Sequence, residues 1–566
     1  MMKILLINPP IEDFYQTEIR QEPLGLEYLA AVLQQQGHQV KILDALASGK
    51  KRVIPLPPQL AYLQQFYPPD DLSPFKLFTR YRHFGLDFTE IRDEIIRFVP
   101  DLIGISANFT PYFDMALGVA RVCKSVFPNV PVVMGGHHVT AEPEDTLRKG
   151  CGVVDYLVLG EGEVTLGELI KALEASDISQ LHHLAGIAFR NENQLRVNPP
   201  ISFIEDLDAL PFPVPEIPAK FKMILTSRGC PRRCSFCAIA KVMGCRWRRR
   251  SIESVIEEIR FAVQHGFDQI DFEDDNLTWD RQRAKELFRA LIKDFKGQSK
   301  KVTFSAMNGL DTESLDEELI VLMAEAGFQW LNLPLVSSDS HVQRQIHRYQ
   351  SQEKFVQVVN IAVRNGLKVV AYLILGLPGD HVEQMLRDLV FLSELPVLLG
   401  PSIFYPPPGS AIYQYCLEQG YIRHGEYILL RGTAFPVETP AFQRRDLVTL
   451  LRLVRVINFI KYLADQISEH EMLFQKYLAS RLSRGHETLI FDHKLSRLEI
   501  GFILLNSLFA LDKGKLRGLR LKSKTQSCYQ YEWLSYVIND EIVEKFLQLL
   551  DGKRIKDVEG KAEFRF

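Results

Sequence analysis

KMILTSRGCPRRCSFC (222–237) decides the reading of this chain. Its first part, KMILTS (222–227), is an apolar run of strand length, and it passes without an intervening helix into Cys230, Cys234 and Cys237. Thiols separated by three and then two residues can be turned toward one point by a tight loop. A loop at the C-terminal mouth of a parallel strand is where βα barrels build their sites. Soft thiolates suit an iron–sulfur cluster or zinc. The other cysteines, Cys123, Cys151, Cys245, Cys416 and Cys528, are scattered. In a reducing compartment the set is not expected to be a disulfide framework.

Downstream of the cysteines the strand and helix rhythm continues. QIDFED (269–274), VTFSAM (303–308), WLNLPLV (330–336), KVVAYLILG (368–376) and LLGPSIFY (398–405) read as further strands. Between the first two, SIESVIEEIRFAVQHG (251–266) puts Ile252, Val255, Ile256, Ile259 and Val263 on one helical face and ends at Gly266. Six such units predict a partial parallel (βα)6 barrel, with an open sheet as the alternative. Beyond about residue 430 the pattern is mainly helical, RRDLVTLLRLVRVINFIKYLADQI (444–467) being its clearest element. Its basic residues fit either a membrane-surface helix or the solvated face of a packed one.

Upstream, KILLIN (3–8), QVKILD (39–44), DLIGIS (101–106), VPVVMG (130–135) and VVDYLVLG (153–160) alternate with helical stretches such as LGLEYLAAVLQQQG (24–37). This α/β pattern predicts a doubly wound, Rossmann-like sheet whose ligand lies beyond the strand C-termini. Residues 45–95, rich in proline and aromatics, read as an inserted cap, and DLDALPFPVPEIP (206–218) as an extended linker. The division expected is 1–200, linker 201–220, barrel 221–425 and C-terminal region 426–566. Lys+Arg 67 against Asp+Glu 70, with 46% hydrophobic residues, is the balance of an ordinary soluble enzyme and gives no sign of a nucleic-acid partner. The first apolar run is too short for a signal peptide, and no stretch is long enough to span a bilayer, so a cytoplasmic location is expected.

Three thiolates rather than four is the informative count, because a cubane held by three cysteines leaves one iron open. S-adenosylmethionine carries an amino group and a carboxylate on adjacent carbons, and can chelate that iron with its sulfonium beside the cluster. The competing reading is a zinc-stabilised binding protein with Cys245 as fourth ligand. RGCPRRCSFC (228–237) resembles the CxxxCxxC signature of the radical S-adenosylmethionine superfamily, with an aromatic before the last cysteine. The resemblance implies a 4Fe-4S cluster on Cys230, Cys234 and Cys237, and Phe236 near the adenine. It also implies a small-molecule substrate and an electron donor such as flavodoxin or ferredoxin. FEDDN (272–276) and GLPG (376–379), at strand ends, add Asp274, Asp275 and Gly376 as S-adenosylmethionine contacts, the alternatives being a helix cap and a plain turn. Ser337 receives no role. Tyr405 and the PPPG loop (406–409) end the sixth strand and either line the site or form a turn.

The N-terminal sheet, with VVMGGHHVTAEPE (132–144) and VLGEGE (158–163), resembles the cobalamin-binding domain of cobalamin-dependent class B radical methyltransferases and of the anaerobic magnesium-protoporphyrin ester cyclase-like group. Gly135, Gly136, Gly160 and Gly162 would leave room for the macrocycle or its tail, with His137 and Glu161 beside them. No DxHxxG occurs in this sheet, so a bound cobalamin would lack the histidine ligand that motif supplies. Two chemistries are implied. One is methylation of an unactivated carbon of a small-molecule or lipid-like metabolite after hydrogen abstraction by a 5′-deoxyadenosyl radical; the other is a non-methylating cyclisation or rearrangement. S-adenosylhomocysteine among the products separates them.

Overall fold

The computed structural model describes residues 1–15, 22–175, 178–191, 194–198, 203–213, 221–297, 301–480, 488–491, 493–508, 515–525 and 528–558. Much of the expected linker, 201–202 and 214–220, lies outside the described residues.

The N-terminal sheet contains β1 (Lys3–Asn8), β2 (Gln39–Asp44), β3 (Leu102–Ser106), β4 (Val132–Gly135), β5 (Tyr156–Val158), β6 (Ile187–Asn191) and β7 (Gln194–Val197). Their order is β7-β6-β5-β4-β3-β1-β2. The pairings from β2 through β5 are parallel. Helices cover both faces, which is why β1 is apolar at successive positions: Leu5 and Ile7 enter one core, Ile4 and Leu6 the other. All five expected strands are present. The antiparallel additions β6 and β7 were missed, because IAFRN and QLRV are short and polar at their tips. The strand order reverses between β1 and β3, which sets a ligand crevice at the carboxyl ends of these strands.

Part of the expected cap belongs to the sheet's own crossover. Asp87 accepts from the Thr89 and Glu90 amides and Glu90 reaches back to Asp87, so this capping box starts the helix Phe88–Phe98. Before it, Ile11–Asp13, Arg82–Phe84 and Lys51–Val53 form a small antiparallel sheet. Leu60, Leu63, Phe66 and Phe75 then bury themselves in the same core as the barrel.

The second unit has β8 (Phe221–Ile224), β9 (Gln269–Phe272), β10 (Thr303–Ser305), β11 (Trp330–Val336), β12 (Lys368–Leu375) and β13 (Leu398–Ile403). They form two three-stranded parallel sheets, joined by a bridge between Phe304 and Phe328. This arc of six strands is the expected partial barrel. The helix Ile252–Gln264 starts at Ser251, whose hydroxyl accepts from the Ser254 amide, and buries Val255, Ile256 and Ile259.

The C-terminal region, expected to be mainly helical, also carries a small sheet. Between the helices Arg444–Ser480 and Asp540–Val558 lies an antiparallel sheet of β14 (Thr488–Phe491), β15 (Arg517–Lys524) and β16 (Tyr529–Ser535). YQYEWLS alternates aromatic and polar residues, a period of two that marks a strand. The long helix is no surface helix. Leu450, Arg452, Leu453, Val454 and Val456 are buried, and Arg452 donates to the carbonyls of Phe66 and Phe75 in the cap. Among the described residues no helix is long and apolar enough to cross a membrane.

Candidate active site

β8 ends in a turn that glycine alone permits. Gly229 has φ +81°, and a Cβ there would lie 2.4 Å from the Arg246 carbonyl oxygen and 3.0 Å from that of Met243. The Asp275 carboxylate accepts the Gly229 amide at 2.8 Å, so the end of β9 holds the start of the cysteine loop. Burial pushes the Asp275 pKa up to about 6. Neighbouring Asp274 is committed elsewhere. One oxygen accepts from the Thr226 and Ser227 hydroxyls and the other from the Thr226 amide at 3.1 Å. Asp274 thereby ties two strand ends together.

Cys230, Cys234 and Cys237 lie within electrostatic reach of one another, and all eight cysteines are free thiols. Polar donors approach two of the sulfurs: Asn276 Nδ2 stands 3.9 Å from Cys230 and Arg348 Nη1 4.0 Å from Cys234. Cys237 is exposed, yet desolvation pushes its thiol up to about 11. Among the described residues no three His, Cys, Asp or Glu side chains are gathered as ligands of one ion. Three soft thiolate donors on one loop fit an iron–sulfur cluster by their chemistry. Phe236 is partly buried against the barrel core.

The remaining segments converge on this loop. The Ser235 amide donates to the Ile346 carbonyl, and the Ile412 amide to the Ser235 carbonyl, both at 3.0 Å. Just past the cysteines, Lys241 Nζ donates to the Ala141 carbonyl at 3.0 Å, tying the loop to the turn that follows β4. A Cβ on Gly409, in the PPPG loop, would lie 3.1 Å from Lys241 and 3.3 Å from Ala141. The cysteine loop, the β4 turn and the end of β13 therefore meet.

Two residues at that meeting place are both accessible and desolvated. His137 is exposed while burial alone holds its imidazole below the ordinary histidine range. Tyr405 is 43% exposed while burial raises its phenol. Phe109, after β3, is 68% exposed. His138 points differently: it is buried between the rings of Phe113 and Tyr427 at 4.2 and 4.6 Å.

The expected cobalamin-side residues divide. Gly135 and Gly160 end β4 and follow β5 at the carboxyl edge, and the Gly160 amide donates to Thr140 Oγ1 at 2.9 Å. Gly136 (φ +115°) is demanded by Ala107 and Asn108, which a Cβ would strike at 2.5–3.0 Å, and Gly162 lies close to Leu29. Those two glycines serve packing. Glu161 accepts from the Ile204 amide at 2.6 Å, from Arg248 at 2.7 Å and from Arg228 at 3.3 Å, and bolts the sheet to the barrel. Arg228 also pairs with Glu163 at 2.6 Å and lies over the Tyr28 ring. Lys222 of β8 pairs with Glu22 and, at 2.9 Å, with Glu27. At Gly376 a Cβ would meet Leu447 at 2.8 Å. Sequence reasoning missed this bolt because an isolated Glu or Arg reads as a solvated charge. Ser337, left without a role, donates to Asp388 at 3.2 Å.

Comparison with known proteins agrees with this geometry. The Radical SAM superfamily model matches residues 224–392, and the B12 binding domain model residues 80–170. An uncharacterized methyltransferase of Pyrococcus horikoshii is 29% identical over 430 residues, 74% of this chain and 83% of its own length. The cytidylyl-2-hydroxyethylphosphonate methyltransferase of Streptomyces wedmorensis is 27% identical over 470 residues, 74% and 82% of the two chains. The anaerobic magnesium-protoporphyrin IX monomethyl ester cyclase of a Synechocystis strain is 24% identical over 419 residues, 72% and 73%. In fold the chain is similar to the cobalamin-dependent S-adenosylmethionine radical enzyme OxsB, with TM-score 0.61, 15% identity and coverage of 99% and 80%. It is also similar to the radical S-adenosylmethionine methyltransferase TsrM of Kitasatospora setae, with TM-score 0.58, 19% identity and coverage of 74% and 78%.

Proposed function

We propose that this radical S-adenosylmethionine enzyme, which carries a B12 binding domain, methylates an unactivated carbon of a small-molecule or lipid-like substrate where the cysteine loop meets the N-terminal sheet. The observation that carries the reading is the meeting of the cysteine loop with the β4 turn through Lys241 and Ala141. It sets the two expected cofactor edges face to face, as a reaction using both requires. When bound, a 4Fe-4S cluster supplies the electron that splits S-adenosylmethionine, and cobalamin carries the methyl group.

The chain's own residues do the positioning. Cys230, Cys234 and Cys237 hold the cluster, Asn276 and Arg348 donate toward their sulfurs, and such donors tune a cluster's potential. Asp275 fixes the Gly229 turn, while Gly135, His137 and Gly160 border the cobalamin edge. Phe109 and Tyr405 wall the substrate space against water. The division 1–200, 201–220, 221–425 and 426–566 follows the same roles. A cytoplasmic location with flavodoxin or ferredoxin as electron donor completes the reading.

The test is anaerobic reconstitution with iron, sulfide and cobalamin, followed by reduction with S-adenosylmethionine. Formation of 5′-deoxyadenosine together with S-adenosylhomocysteine and a methylated product is expected. Formation of 5′-deoxyadenosine without S-adenosylhomocysteine selects the non-methylating alternative.

A further inference from the structure

One turn that follows β11 is bonded directly to the cysteine loop. The short helix Ser340–Gln345 ends there, and the chain turns through Ile346, His347 and Arg348. The Ile346 carbonyl accepts the Ser235 amide at 3.0 Å, the Gln345 carbonyl accepts the Ser235 hydroxyl at 3.4 Å, and Arg348 Nη1 stands 4.0 Å from Cys234 Sγ. His347 takes φ +52°, a left-handed conformation that side chains disfavour, so the shape of the turn is imposed by what it grips.

The same turn reaches solvent. Arg344, His347 and Tyr349 are exposed, Tyr349 by 62%, and so is Arg233 beside Cys234 in the loop itself. Arg233, Arg344 and Arg348 have no ion pair among the described residues. The neighbouring carboxylates are engaged elsewhere: Asp311 holds Arg232, Asp339 caps the His341 and Val342 amides, and Glu313 accepts the Ser351 amide. Three uncompensated guanidinium groups are thus carried by two segments that are bonded to each other at Cys234 and Ser235. The chain as a whole has net charge -3, so this positive surface is local. Arginine and tyrosine are the residues that protein interfaces favour, and a local positive surface steers an acidic partner to it.

We propose that residues 344–349 and Arg233 form the docking surface for an acidic one-electron carrier protein. This rests on the radical reading, in which each cleavage of S-adenosylmethionine takes one electron that enters at the cysteine loop. The carrier's redox centre is oxidised by one electron and the cluster is reduced by one; no bond or proton passes between the two proteins. Arg348 joins the docked surface to Cys234 Sγ.

The experiment measures binding of flavodoxin and of a plant-type ferredoxin, both acidic, to the reconstituted holoenzyme by calorimetry, with basic cytochrome c as control. At about 0.1 M salt an acidic carrier is expected to bind and cytochrome c is not. At about 1 M salt, where the screening length falls from about 10 to about 3 Å, that binding should be lost. Arg344→Glu should weaken it about ten- to a hundredfold, since it sets like charges face to face. Arg344→Gln should weaken it less, and Arg233→Gln gives a second reading should the charge reversal misfold. Arg92→Glu, on the exposed side of the helix Phe88–Phe98, makes the same change of net charge and should match wild type. Binding of neither acidic carrier overturns the proposal. So does equal binding by wild type, Arg344→Glu and Arg233→Gln, or equal weakening by Arg92→Glu. Wild-type 5′-deoxyadenosine formation with dithionite, which needs no carrier, is measured on the same preparation. Its absence alongside arginine-dependent carrier binding refutes the radical reading and keeps the docking surface; its presence with arginine-independent binding does the reverse.

Discussion

Replacing Glu161 by alanine tests whether this residue of the VLGEGE stretch is a bolt or a cofactor contact. Its side chain is 1% exposed and accepts from Ile204, Arg228 and Arg248. After truncation Arg228 keeps Glu163, but Arg248 keeps only the carbonyls of Ile204 and Met243 and no carboxylate. Leaving a buried cation in that condition costs about 3–5 kcal/mol. The loss falls on the contact between the segments carrying Arg228 and Arg248 and the start of the helix Gly162–Glu174, so it reads out as local opening. Hydrogen exchange of amides in those two elements should accelerate by about 10²- to 10³-fold. Glu161→Gln, which keeps the acceptor for the Ile204 amide, should show a smaller change. The double variant Glu161→Ala with Arg248→Met should recover part of the loss, with a coupling of about 0.5–3 kcal/mol. Unchanged exchange in Glu161→Ala, with loss only of cobalamin retention, would refute the bolt and restore the cofactor role.

Separate alanine variants of Cys230, Cys234 and Cys237 should each lose cluster iron and 5′-deoxyadenosine formation, while Cys245→Ala keeps both; iron analysis and product assay decide. Gly229→Ala meets the Arg246 carbonyl at 2.4 Å in a left-handed conformation, so a loss of about 1–3 kcal/mol and reduced iron content are expected, measured by denaturant unfolding and iron analysis. Burial pushes the His138 pKa down to about 3 from 6.5. The imidazole is thus neutral in the fold and charged in the unfolded chain between these values. Its contribution is complete above pH 6.5 and is lost as pH falls toward 3, at about 1.4 kcal/mol per pH unit. His138→Phe should flatten the stability profile in that window by one proton; an unchanged slope would reject the burial argument.

What could be read in the sequence was what repeats locally. Five strands of the first sheet and six of the barrel announce themselves as apolar runs because both faces are covered. The cysteine loop announces itself by spacing. What stayed hidden depends on partners far apart in the chain. Lys222 finds Glu22 across 200 positions, and Arg431 donates to the Glu12 and Pro111 carbonyls. Gly376 looked like room for a ligand, yet the residue that needs the room is Leu447. The places of His137 and Tyr405 at strand ends were legible, but what desolvates them depends on the assembled fold.

An arc of six strands has two free edges, and the way this chain treats them explains why so many parts serve one site. At the β8 edge the N-terminal sheet docks through Lys222, Arg228 and Arg248, which fixes the β4 turn opposite the cysteines. At the β13 edge the long helix docks through Asn458, and its Arg452 reaches the cap. A barrel closed by its own strands would fill its interior with side chains. One closed by a foreign sheet and a helix leaves its strand ends facing both, and the cysteine loop is tied to that sheet through Lys241. On the proposed reading the helix and cap, packed over the strand ends, set specificity, and the strand ends hold the chemistry.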